Sequence, residues 1–355
     1  MRDESLTEEQ RMIRDMVGDF VGGSVASQAV AIDANATIPD ALLEELAELG
    51  LLCVPLPEAA GGAGFDFVSL TLVLAAIAGE CPALAQHVLF QTIDGVLMLA
   101  ESGGQETHME AVAGGSAAVA FCELDNGGSW DAAKGQLTGH ATCVLGGVGA
   151  DLILVFVSDE SQPTLLLVES EKIQCGESRN RLGMRGVTAC DVSFTSSTAV
   201  VLAEDDAALK LVAMRKSREW VGALAIASGL AKSVSEIACA YAREREQFGG
   251  PIARLGAVQE MMARTDVAYR IASELTQSLA SGIDRGEDVL LAARAARIVA
   301  GDLVMHAADV GLQIHGGYGF SQEYAIERFY RDARQIAVMG GCEDELLAAC
   351  AQLLV

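Results

Sequence analysis

Helical periodicity dominates the first third of the chain. Apolar side chains recur every four residues from Met12 to Phe20, after a Ser5-Leu6-Thr7-Glu8-Glu9 start that places a capping hydroxyl before two acids. A further helix is predicted at about residues 39–48, and two apolar helices follow it. Residues 1–116 therefore predict an N-terminal helical domain.

The period then changes to that of β-strands. Short apolar or alternating runs lie at residues 117–123, 152–158, 164–169 and 190–194, and Gly, Asp, Asn, Ser and Pro separate them. Runs of this length bounded by turn formers are typical of strands. The sequence predicts a small β domain at residues 117–205.

Long helices return after the β domain. Apolar residues step by three or four from Trp220 to Tyr241, and Gly249-Gly250-Pro251 is predicted to end this helix. Similar helices are predicted over 258–279 and about 288–314, with a shorter one at the C-terminus. Four antiparallel helices predict a bundle at residues 206–355, so the fold class is mainly α with a small central β domain.

Composition limits the classes of partner. A formal net charge of −25 and a pI near 4.4 disfavour nucleic acid and anionic membranes, because both carry negative charge that an acidic surface repels. The start MRDESLTEEQ is polar where a signal peptide would be apolar, and we identify no apolar run near the roughly 20 residues of a membrane span. A cytoplasmic protein is expected.

Nine cysteines are scattered along the chain. Their spacing contains no CxxC pair and no nearby histidine at metal-ligand spacing, so we predict neither a metal site nor a disulfide framework. The expected role of these cysteines is that of small, buried apolar side chains.

Two segments of the C-terminal half have the chemistry of a dinucleotide site. They read Tyr241-Ala-Arg-Glu-Arg245-Glu-Gln247-Phe248-Gly249-Gly-Pro251-Ile252 and Gln313-Ile-His-Gly316-Gly317-Tyr318-Gly319-Phe320. An arginine at a helix end offers a planar fork of donors to a pyrophosphate, and paired glycines let a backbone approach a ligand. Since no arginine occurs between Arg14 and Arg179, an anion is expected to bind in this half.

Both segments resemble the C-terminal signatures of the acyl-CoA dehydrogenase family. Other similar landmarks are Glu327-Arg328, Arg331-Asp332-Ala333, Leu6-Thr-Glu-Glu-Gln10, the Gly61-Gly-Ala-Gly64 turn and Leu182-Gly-Met-Arg-Gly186. The resemblance covers nearly the whole chain. It implies the order of helices, β domain and helical bundle, bound FAD, and α,β-dehydrogenation of an acyl-CoA thioester, with an electron-transferring flavoprotein as acceptor.

The resemblance also implies particular FAD contacts. In this family the two segments of one subunit hold the adenine and pyrophosphate end of an FAD whose ring is bound largely by the neighbouring subunit. The contacts implied here are Arg245, Gln247, Phe248, Gln313, Gly316 and Gly317. The structural alternative is a helix C-cap at Gly249, a tight turn at Gly316 and Gly317, and a solvated Arg245.

The family's ring-binding segments are altered in this chain. A segment resembling TEPxxGSD reads Leu124-Asp-Asn-Gly-Gly-Ser-Trp130-Asp131, so leucine and tryptophan replace hydroxyl residues. The family's Trp-Ile-Thr or Trp-Ile-Ser corresponds to Cys143-Val144-Leu145, which lacks both the indole and the hydroxyl. Each hydrogen bond lost to a buried flavin costs roughly 1–3 kcal/mol. A weakened ring site is therefore expected.

Removal of a proton α to a thioester needs a carboxylate base on the face of the acyl chain opposite the flavin. The family's usual glutamate corresponds to Gly340, in Met339-Gly340-Gly341-Cys342, and glycine cannot take a proton. A minority of the family carries its base on the first bundle helix. That position is Glu219 here, followed by Trp220 where most relatives have arginine.

Two alternatives to a catalytic Glu219 stay open. Its charged run, residues 215–219, is also typical of a solvated helix face with local ion pairs. Acidic side chains further along the chain could instead turn toward the site, namely Glu343, Asp344 and Glu345.

Three functions fit these features. The first is a subunit of a hetero-oligomeric acyl-CoA dehydrogenase that supplies the FAD adenine and pyrophosphate half-site to a homologous partner; by family analogy, such assemblies act on bulky substrates such as steroid side-chain CoA thioesters. The second is a self-sufficient homo-oligomeric dehydrogenase that uses Glu219. The third is a catalytically silent scaffold or acyl-CoA-binding regulator.

Overall fold

The computed structural model describes residues 6–125, 128–158, 162–341 and 343–352, so Ser5 of the predicted cap lies outside the described residues. A capping box between Thr7 and Gln10 begins the first helix. The helices before the first strand are α1 (Glu8–Phe20), α2 (Ala29–Asn35), α3 (Asp40–Glu48), α4 (Phe67–Ala78), α5 (Pro82–Phe90), α6 (Met98–Ser102) and α7 (Glu106–Ala113). A π-helical segment, Gln91–Leu97, joins α5 to α6.

Within the described residues, the middle of the chain folds into two four-stranded sheets. The strands are β1 (Val119–Glu123), β2 (Ser129–Asp131), β3 (Gln136–Leu145), β4 (Leu152–Val157), β5 (Thr164–Glu169), β6 (Gln174–Cys175), β7 (Ala189–Thr198) and β8 (Val200–Glu204). One sheet has the order β1-β4-β5-β8, with β1 and β4 parallel, and the other has the order β2-β3-β7-β6. One face of the first sheet packs on the second sheet and its other face packs on the helices.

The four predicted strand runs correspond to β1, β4, β5 and β7. Strand β3 was not predicted, because two register shifts against β7 interrupt its alternation of buried and exposed residues. Strand β8 was not predicted either, since its residues are only partly buried or exposed. The predicted domain limits at 116 and 205 stay predictions, although the strands lie between them.

The C-terminal part contains α8 (Asp205–Glu244), α9 (Gly256–Asp284), α10 (Leu290–His315), α11 (Ala325–Ile336) and α12 (Glu343–Ala351). The predicted end of the first long helix at Gly249 is wrong, because α8 ends at Glu244. A short hairpin of β9 (Glu246–Gln247) and β10 (Gly250–Pro251) follows it. The predicted fold class, mainly α with a small central β domain and a C-terminal bundle, is confirmed.

Helix α8 is the centre of the molecule, since one continuous apolar core joins the N-terminal helices to the bundle. Gly229 of α8 lies so close to α4 that a Cβ there would be 2.1 Å from the carbonyl oxygen of Ala75. Only glycine permits this approach of two helix backbones. The approach fixes α8, and the charged residues of its first half, against the N-terminal domain.

Two helical stretches of the described residues are long and apolar enough to span a membrane, contrary to the sequence-based expectation. They are Pro82–Ser102 and Asp205–Glu244. In their most apolar windows, 89% and 67% of the residues are buried inside the protein. Both stretches therefore serve as core helices in this fold.

Two of the family-like landmarks pack against each other. A Cβ at Gly183 would lie 2.2 Å from the carbonyl oxygen of Arg331, and the backbone N–H of Met184 donates to the Asp332 carboxylate. Burial raises the pKa of Asp332 to about 6, although its hydrogen bond with Met184 opposes that rise. These residues join the β domain to α11 and do not line the cavities described below.

Candidate functional site

A cavity of about 530 Å³ lies where α8 and α10 end side by side. Its lining combines a guanidinium, an amide side chain, backbone at two glycines and aromatic rings. The lining residues are Tyr241, Arg245, Gln247, Ile252, Ile314, His315, Gly316, Gly317 and Tyr318. We call it the α8–α10 cavity.

The hairpin after α8 positions Arg245 at this cavity. Arg245 is the C-cap of α8, and its N–H donates to the carbonyl oxygen of Tyr241 at 2.8 Å. The hairpin turn is formed by Phe248 and Gly249, both with positive φ, at 51° and 83°. Two positive φ values are characteristic of a two-residue type I′ turn. The predicted alternative of a helix C-cap at Gly249 is therefore wrong.

Gly316 turns the chain at the end of α10, as the hairpin does at the end of α8. Its φ of 59° and ψ of −136° lie in a region that residues with a Cβ rarely adopt. A Cβ placed at Gly316 or Gly317 would have no described atom within 4 Å, so the space beside both glycines is open. The chain thus exposes backbone next to Arg245, whose guanidinium carbon lies 5.5 Å from the centre of the Tyr318 ring.

His315 is a cavity residue that the sequence analysis missed. Its ring stacks on Tyr241 with centroids 4.3 Å apart, and Nδ1 lies 2.8 Å from the carbonyl oxygen of Gly311. Because that carbonyl accepts, Nδ1 carries the proton, and Nε2 has no hydrogen-bond partner among the described residues. Burial lowers the pKa of His315, which favours the neutral ring. A ligand donor would satisfy Nε2.

The structure brings together four of the six predicted FAD contacts, Arg245, Gln247, Gly316 and Gly317. Phe248 is 88% exposed and Gln313 is exposed, and neither lines the α8–α10 cavity. The carbonyl oxygen of Gln313 instead accepts the N–H of Gly316. The assignment of all six residues to FAD stays a prediction.

A second cavity, of about 230 Å³, lies between α8 and the strands β1 and β3. It is bounded by Phe90, Asp94, Phe121, Cys122, Glu123, Thr142, Cys143, Val144, Leu145, Arg215 and Glu219. We call it the β3 cavity. The segment that resembles the family's Trp-Ile-Thr, Cys143-Val144-Leu145, therefore lines the same cavity as Glu219.

A buried ionic cluster occupies the wall of the β3 cavity. Arg215 Nε lies 2.6 Å from Asp94 Oδ1, and Arg215 Nη1 lies 2.8 Å from Glu219 Oε2. The Arg215 guanidinium also stacks on the ring of Phe121 at 3.8 Å. The three charged side chains are each at most 10% exposed. We call them the Asp94–Arg215–Glu219 cluster.

The cluster is electrostatically coupled. Burial alone would lower the pKa of Arg215, but the two carboxylates raise it, so the guanidinium stays charged. Burial raises the pKa of Asp94 to about 6, against the opposing effect of Arg215. The remaining carboxylate, Glu219, lies in the next turn of the same helix as Arg215.

The two sequence positions considered for the base meet in space. A Cβ built on Gly340 would lie 3.6 Å from Glu219 Oε1, which is the oxygen not bound by Arg215. It would also lie 2.9 Å from Trp220 Cδ1. Glu219 therefore places a carboxylate oxygen beside Gly340, the position that the resemblance assigns to the family's usual glutamate, and Trp220 occupies the space next to the Gly340 backbone.

The other charges of the 215–219 run find separate partners. Lys216 pairs with Glu123 at 2.8 Å, and Arg218 pairs with Glu101 at 2.6 Å. The expectation of a solvated helix face is wrong for Arg215 and Glu219, which are 7% and 8% exposed. The three acids proposed as alternatives are exposed on the first turn of α12 and do not line the β3 cavity, namely Glu343, Asp344 and Glu345.

The segment that corresponds to TEPxxGSD spans residues 124–131, of which Asn126 and Gly127 lie outside the described residues. Leu124 packs against Gly128 and against Gly139 of β3. Trp130 is partly buried, and its Nε1 has no hydrogen-bond partner in the described part of the chain. The hydroxyl donors expected of this segment are replaced by apolar packing.

Family models match both helical parts of the chain. The model of the acyl-CoA dehydrogenase N-terminal domain matches residues 7–113, and that of the acyl-CoA dehydrogenase C-terminal domain matches residues 212–354. This chain belongs to the acyl-CoA dehydrogenase family. Members of this family are FAD-dependent flavoproteins.

Individual relatives align over nearly the whole length. Cyclohex-1-ene-1-carbonyl-CoA dehydrogenase of Geobacter metallireducens is 28% identical over 95% of both chains. A caffeyl-CoA reductase-Etf complex subunit of Acetobacterium woodii is 24% identical over 94% of this chain and 95% of its own. The butyryl-CoA dehydrogenase structure from Megasphaera elsdenii has a TM-score of 0.90 at 23% identity, over 99% of this chain and 100% of that one, and so supports the fold.

The residues of the α8–α10 cavity fit one end of FAD. A guanidinium and exposed glycine backbone suit a pyrophosphate, and the unpaired Nε2 of buried His315 suits a donor such as an adenine amine or a ribose hydroxyl. The β3 cavity offers the flavin ring fewer donors, since Cys143 and Leu145 carry neither a hydroxyl nor an indole and Thr142 is the one hydroxyl side chain among the described residues of its lining. The acyl-CoA dehydrogenase scaffold is thus retained, with Cys143 and Leu145 at the positions that the resemblance assigns to flavin-ring contacts.

Proposed function

We propose that this chain is an FAD-dependent acyl-CoA oxidoreductase with Glu219 as its catalytic base, and that its α8–α10 cavity holds the adenine and pyrophosphate of an FAD shared with a neighbouring subunit. The proposal rests on the position of Glu219 Oε1, 3.6 Å from where a side chain at Gly340 would begin. This is an arrangement expected of a base transferred from the loop after α11 to α8. A purely structural Glu219 would not need that position.

The proposed chemistry starts with the proton α to the thioester carbonyl. In the oxidative direction Glu219 Oε1 takes this proton, and the electron pair of the broken C–H bond forms the α,β double bond. Bound FAD would accept the hydride that leaves the β-carbon. In the reductive direction reduced FAD would supply a hydride to the β-carbon, and the protonated carboxyl of Glu219 returns the proton to the α-carbon. The burial of Glu219 limits exchange of this proton with water.

The names of two relatives support the proposed reaction direction and redox partner. One is named a dehydrogenase and the other a reductase, so a single base that serves both directions is consistent with the family. The reductase is named as part of an Etf complex, which supports an electron-transferring flavoprotein as the redox partner of this chain. Reduction or oxidation of a purified electron-transferring flavoprotein by the holoprotein would test this second detail.

A second candidate is the subunit of a hetero-oligomer, which contributes the α8–α10 cavity to a homologous partner that binds the flavin ring. It is favoured by the altered ring side, where Cys143 and Leu145 replace the expected donors and Leu124 packs on glycine. Family analogy then favours bulky acyl chains, with steroid side-chain CoA thioesters as the model substrate class.

The decisive measurement is the visible spectrum and flavin-to-chain ratio of the protein purified alone, and then after co-expression with a homologue that carries intact ring-binding segments. About one flavin per chain without a partner supports the self-sufficient enzyme. No flavin alone, with about one per pair after co-expression, supports the hetero-oligomer. Flavin binding under neither condition would overturn both and leave a silent scaffold.

The base is tested in whichever assembly binds flavin. Glu219→Gln keeps the shape of the side chain and removes its proton affinity, so reduction of the bound flavin by a panel of acyl-CoA thioesters should fall by at least about 100-fold. Glu236→Gln is the matched control, because Glu236 is an exposed glutamate further along the same helix. Equal flavin reduction by both variants would remove Glu219 from the mechanism.

A further inference from the structure

The Asp94–Arg215–Glu219 cluster contains more than a base. Arg215 makes a hydrogen bond to one oxygen of Glu219 and to both oxygens of Asp94, through Nη1, Nε and Nη2 at 2.8, 2.6 and 3.3 Å. Its guanidinium plane also lies against the Phe121 ring. A side chain fixed on three sides has little freedom to rotate, so Arg215 is a rigid donor in the wall of the β3 cavity.

This arrangement makes the two oxygens of Glu219 unequal. Oε2 accepts from Arg215 at 2.8 Å, whereas Oε1 faces the position above Gly340. A carboxylate held by one oxygen cannot turn away without breaking a buried charged hydrogen bond, which is costly. Oε1, which Arg215 does not bind, is therefore the oxygen left to exchange a proton with the substrate.

Asp94 completes the arrangement from another part of the chain. It lies in the π-helical segment Gln91–Leu97, 121 positions before Arg215, and is 2% exposed. A buried carboxylate so far away in sequence is not needed to neutralise Arg215, since Glu219 already does so. Its contact instead sets the direction of the guanidinium, because Nε and Nη2 both point toward Asp94.

We propose that Arg215, anchored by Asp94, is a positioning residue for Glu219 that occupies Oε2 and leaves Oε1 as the oxygen that exchanges the substrate proton. This inference rests on the proposed role of Glu219. The inference adds one requirement to that role, namely that Glu219 works at full rate only while Asp94 holds Arg215 in place. Arg215 and Asp94 do not themselves take part in the proton transfer.

The first test is Arg215→Met in the flavin-containing assembly, with Arg218→Met as the matched control. Arg218 lies on the same helix, and its partner is Glu101, away from the β3 cavity. Misplacement of a catalytic group by about 1 Å costs on the order of 100-fold in rate, so kcat should fall by that factor while KM changes little. The control should retain its kcat. A rise in KM with unchanged kcat would overturn the proposal.

An isotope effect separates positioning from general loss of structure. With an acyl-CoA carrying deuterium at the α-carbon, Arg215→Met should show a larger isotope effect on kcat than the parent, because proton abstraction becomes rate-limiting. Arg215→Lys should recover part of the rate, since an ammonium still pairs with Glu219 but cannot bind both carboxylates through a planar fork. An unchanged isotope effect in both variants would contradict the proposal.

The pH profile tests Asp94. The charged or titratable groups that face it across the β3 cavity are Arg215 and Glu219 on α8, Cys122 and Glu123 on β1, and Cys143 on β3. Burial raises the pKa of Asp94 to about 6, so kcat should fall as the pH drops through 6 and Asp94 releases Arg215. Asp94→Asn should have a low kcat at pH 8 and lack this transition. An unaltered transition in Asp94→Asn would refute the role of Asp94.

A double variant tests whether a loss of rate arises from a folding defect. Arg215→Met combined with Asp94→Asn leaves one buried carboxylate, and its flavin content and circular dichroism report whether the fold persists. If this folded variant and Arg215→Met both keep full kcat while Glu219→Gln is inactive, the base is right and the positioning role is wrong. If Glu219→Gln itself is active, the proposed function fails whatever Arg215 does.

Discussion

The indole Nε1 of Trp220 donates a hydrogen bond of 2.8 Å to the carbonyl oxygen of Gly340. This contact joins α8, at the residue next to Glu219, to the loop after α11. Arg297, which is fully buried on α10, donates to the carbonyl oxygens of Ile336 and Met339 and so fixes the same loop from the other side. Gly340 and Glu219, the two positions considered for the base, are thus held in one rigid unit.

Gly340 is expected to tolerate no side chain. Its φ is 79°, and a Cβ would lie 2.9 Å from Trp220 Cδ1. Gly340→Ala should therefore lower the free energy of unfolding by about 1–3 kcal/mol, measured by urea denaturation. Gly104→Ala is the control, because Gly104 has a φ of 69° but open space around its Cβ position. Equal losses in both variants would show that contact with Trp220 costs nothing.

The backbone of Gly316 is expected to matter for flavin binding. Because the space beside Gly316 is open, Gly316→Ala should introduce only the strain of its φ of 59°, about 1 kcal/mol or more. Gly286→Ala is matched, since Gly286 has a φ of 71°, open space and a place in the α9–α10 turn. Both variants should lose similar stability, but only Gly316→Ala should lose flavin. The ratio of the absorbance at about 450 nm to that at about 280 nm measures the flavin content. Equal flavin loss in Gly316→Ala and Gly286→Ala would contradict the site.

The side chain of Arg245, at the end of α8, is also expected to matter for flavin binding. Arg245→Ala should lower the flavin-to-chain ratio of the assembled protein, because it removes the only guanidinium that lines the α8–α10 cavity among the described residues. Arg243→Ala, two positions earlier and also exposed, controls for net charge. Ser129→Ala, in the altered ring segment, should change little. An undiminished flavin ratio in Arg245→Ala would remove the half-site argument.

The sequence predicted the long helices well, because each is a local pattern, and it marked the two segments that meet at the α8–α10 cavity. It could not show that Glu219 is buried, since the run Arg-Lys-Ser-Arg-Glu looks solvated until partners from other segments are placed beside it. Asp94, which lies in an apolar stretch more than a hundred residues away, gave no signal of its contact with Arg215. Likewise, tertiary packing and not the neighbouring sequence leaves Nε2 of His315 without a hydrogen-bond partner in the described part of the chain.

The contact between the β domain and α11 should make stability depend on pH. Asp332 is buried, and its burial raises its pKa to about 6, above the roughly 3.9 of an unfolded aspartate. Between these values the folded state binds the extra proton, so this group stabilises the fold at low pH and the contribution is lost as the pH rises through 6. The wild type should gain about 1 kcal/mol from Asp332 at about pH 5 relative to about pH 7.5.

Asp332→Asn should abolish that gain. Its amide oxygen can still accept the N–H of Met184, so the fold should persist while the titration is removed. Free energies of unfolding measured at both pH values for wild type and variant give the difference directly, and Asp309→Asn, an exposed aspartate on α10, controls for the loss of one charge. Because Asp94 is unchanged in all three proteins, its own titration cancels from the comparison. A pH dependence in Asp332→Asn equal to that of the wild type would show that Asp332 is already ionised at pH 5 in the folded protein.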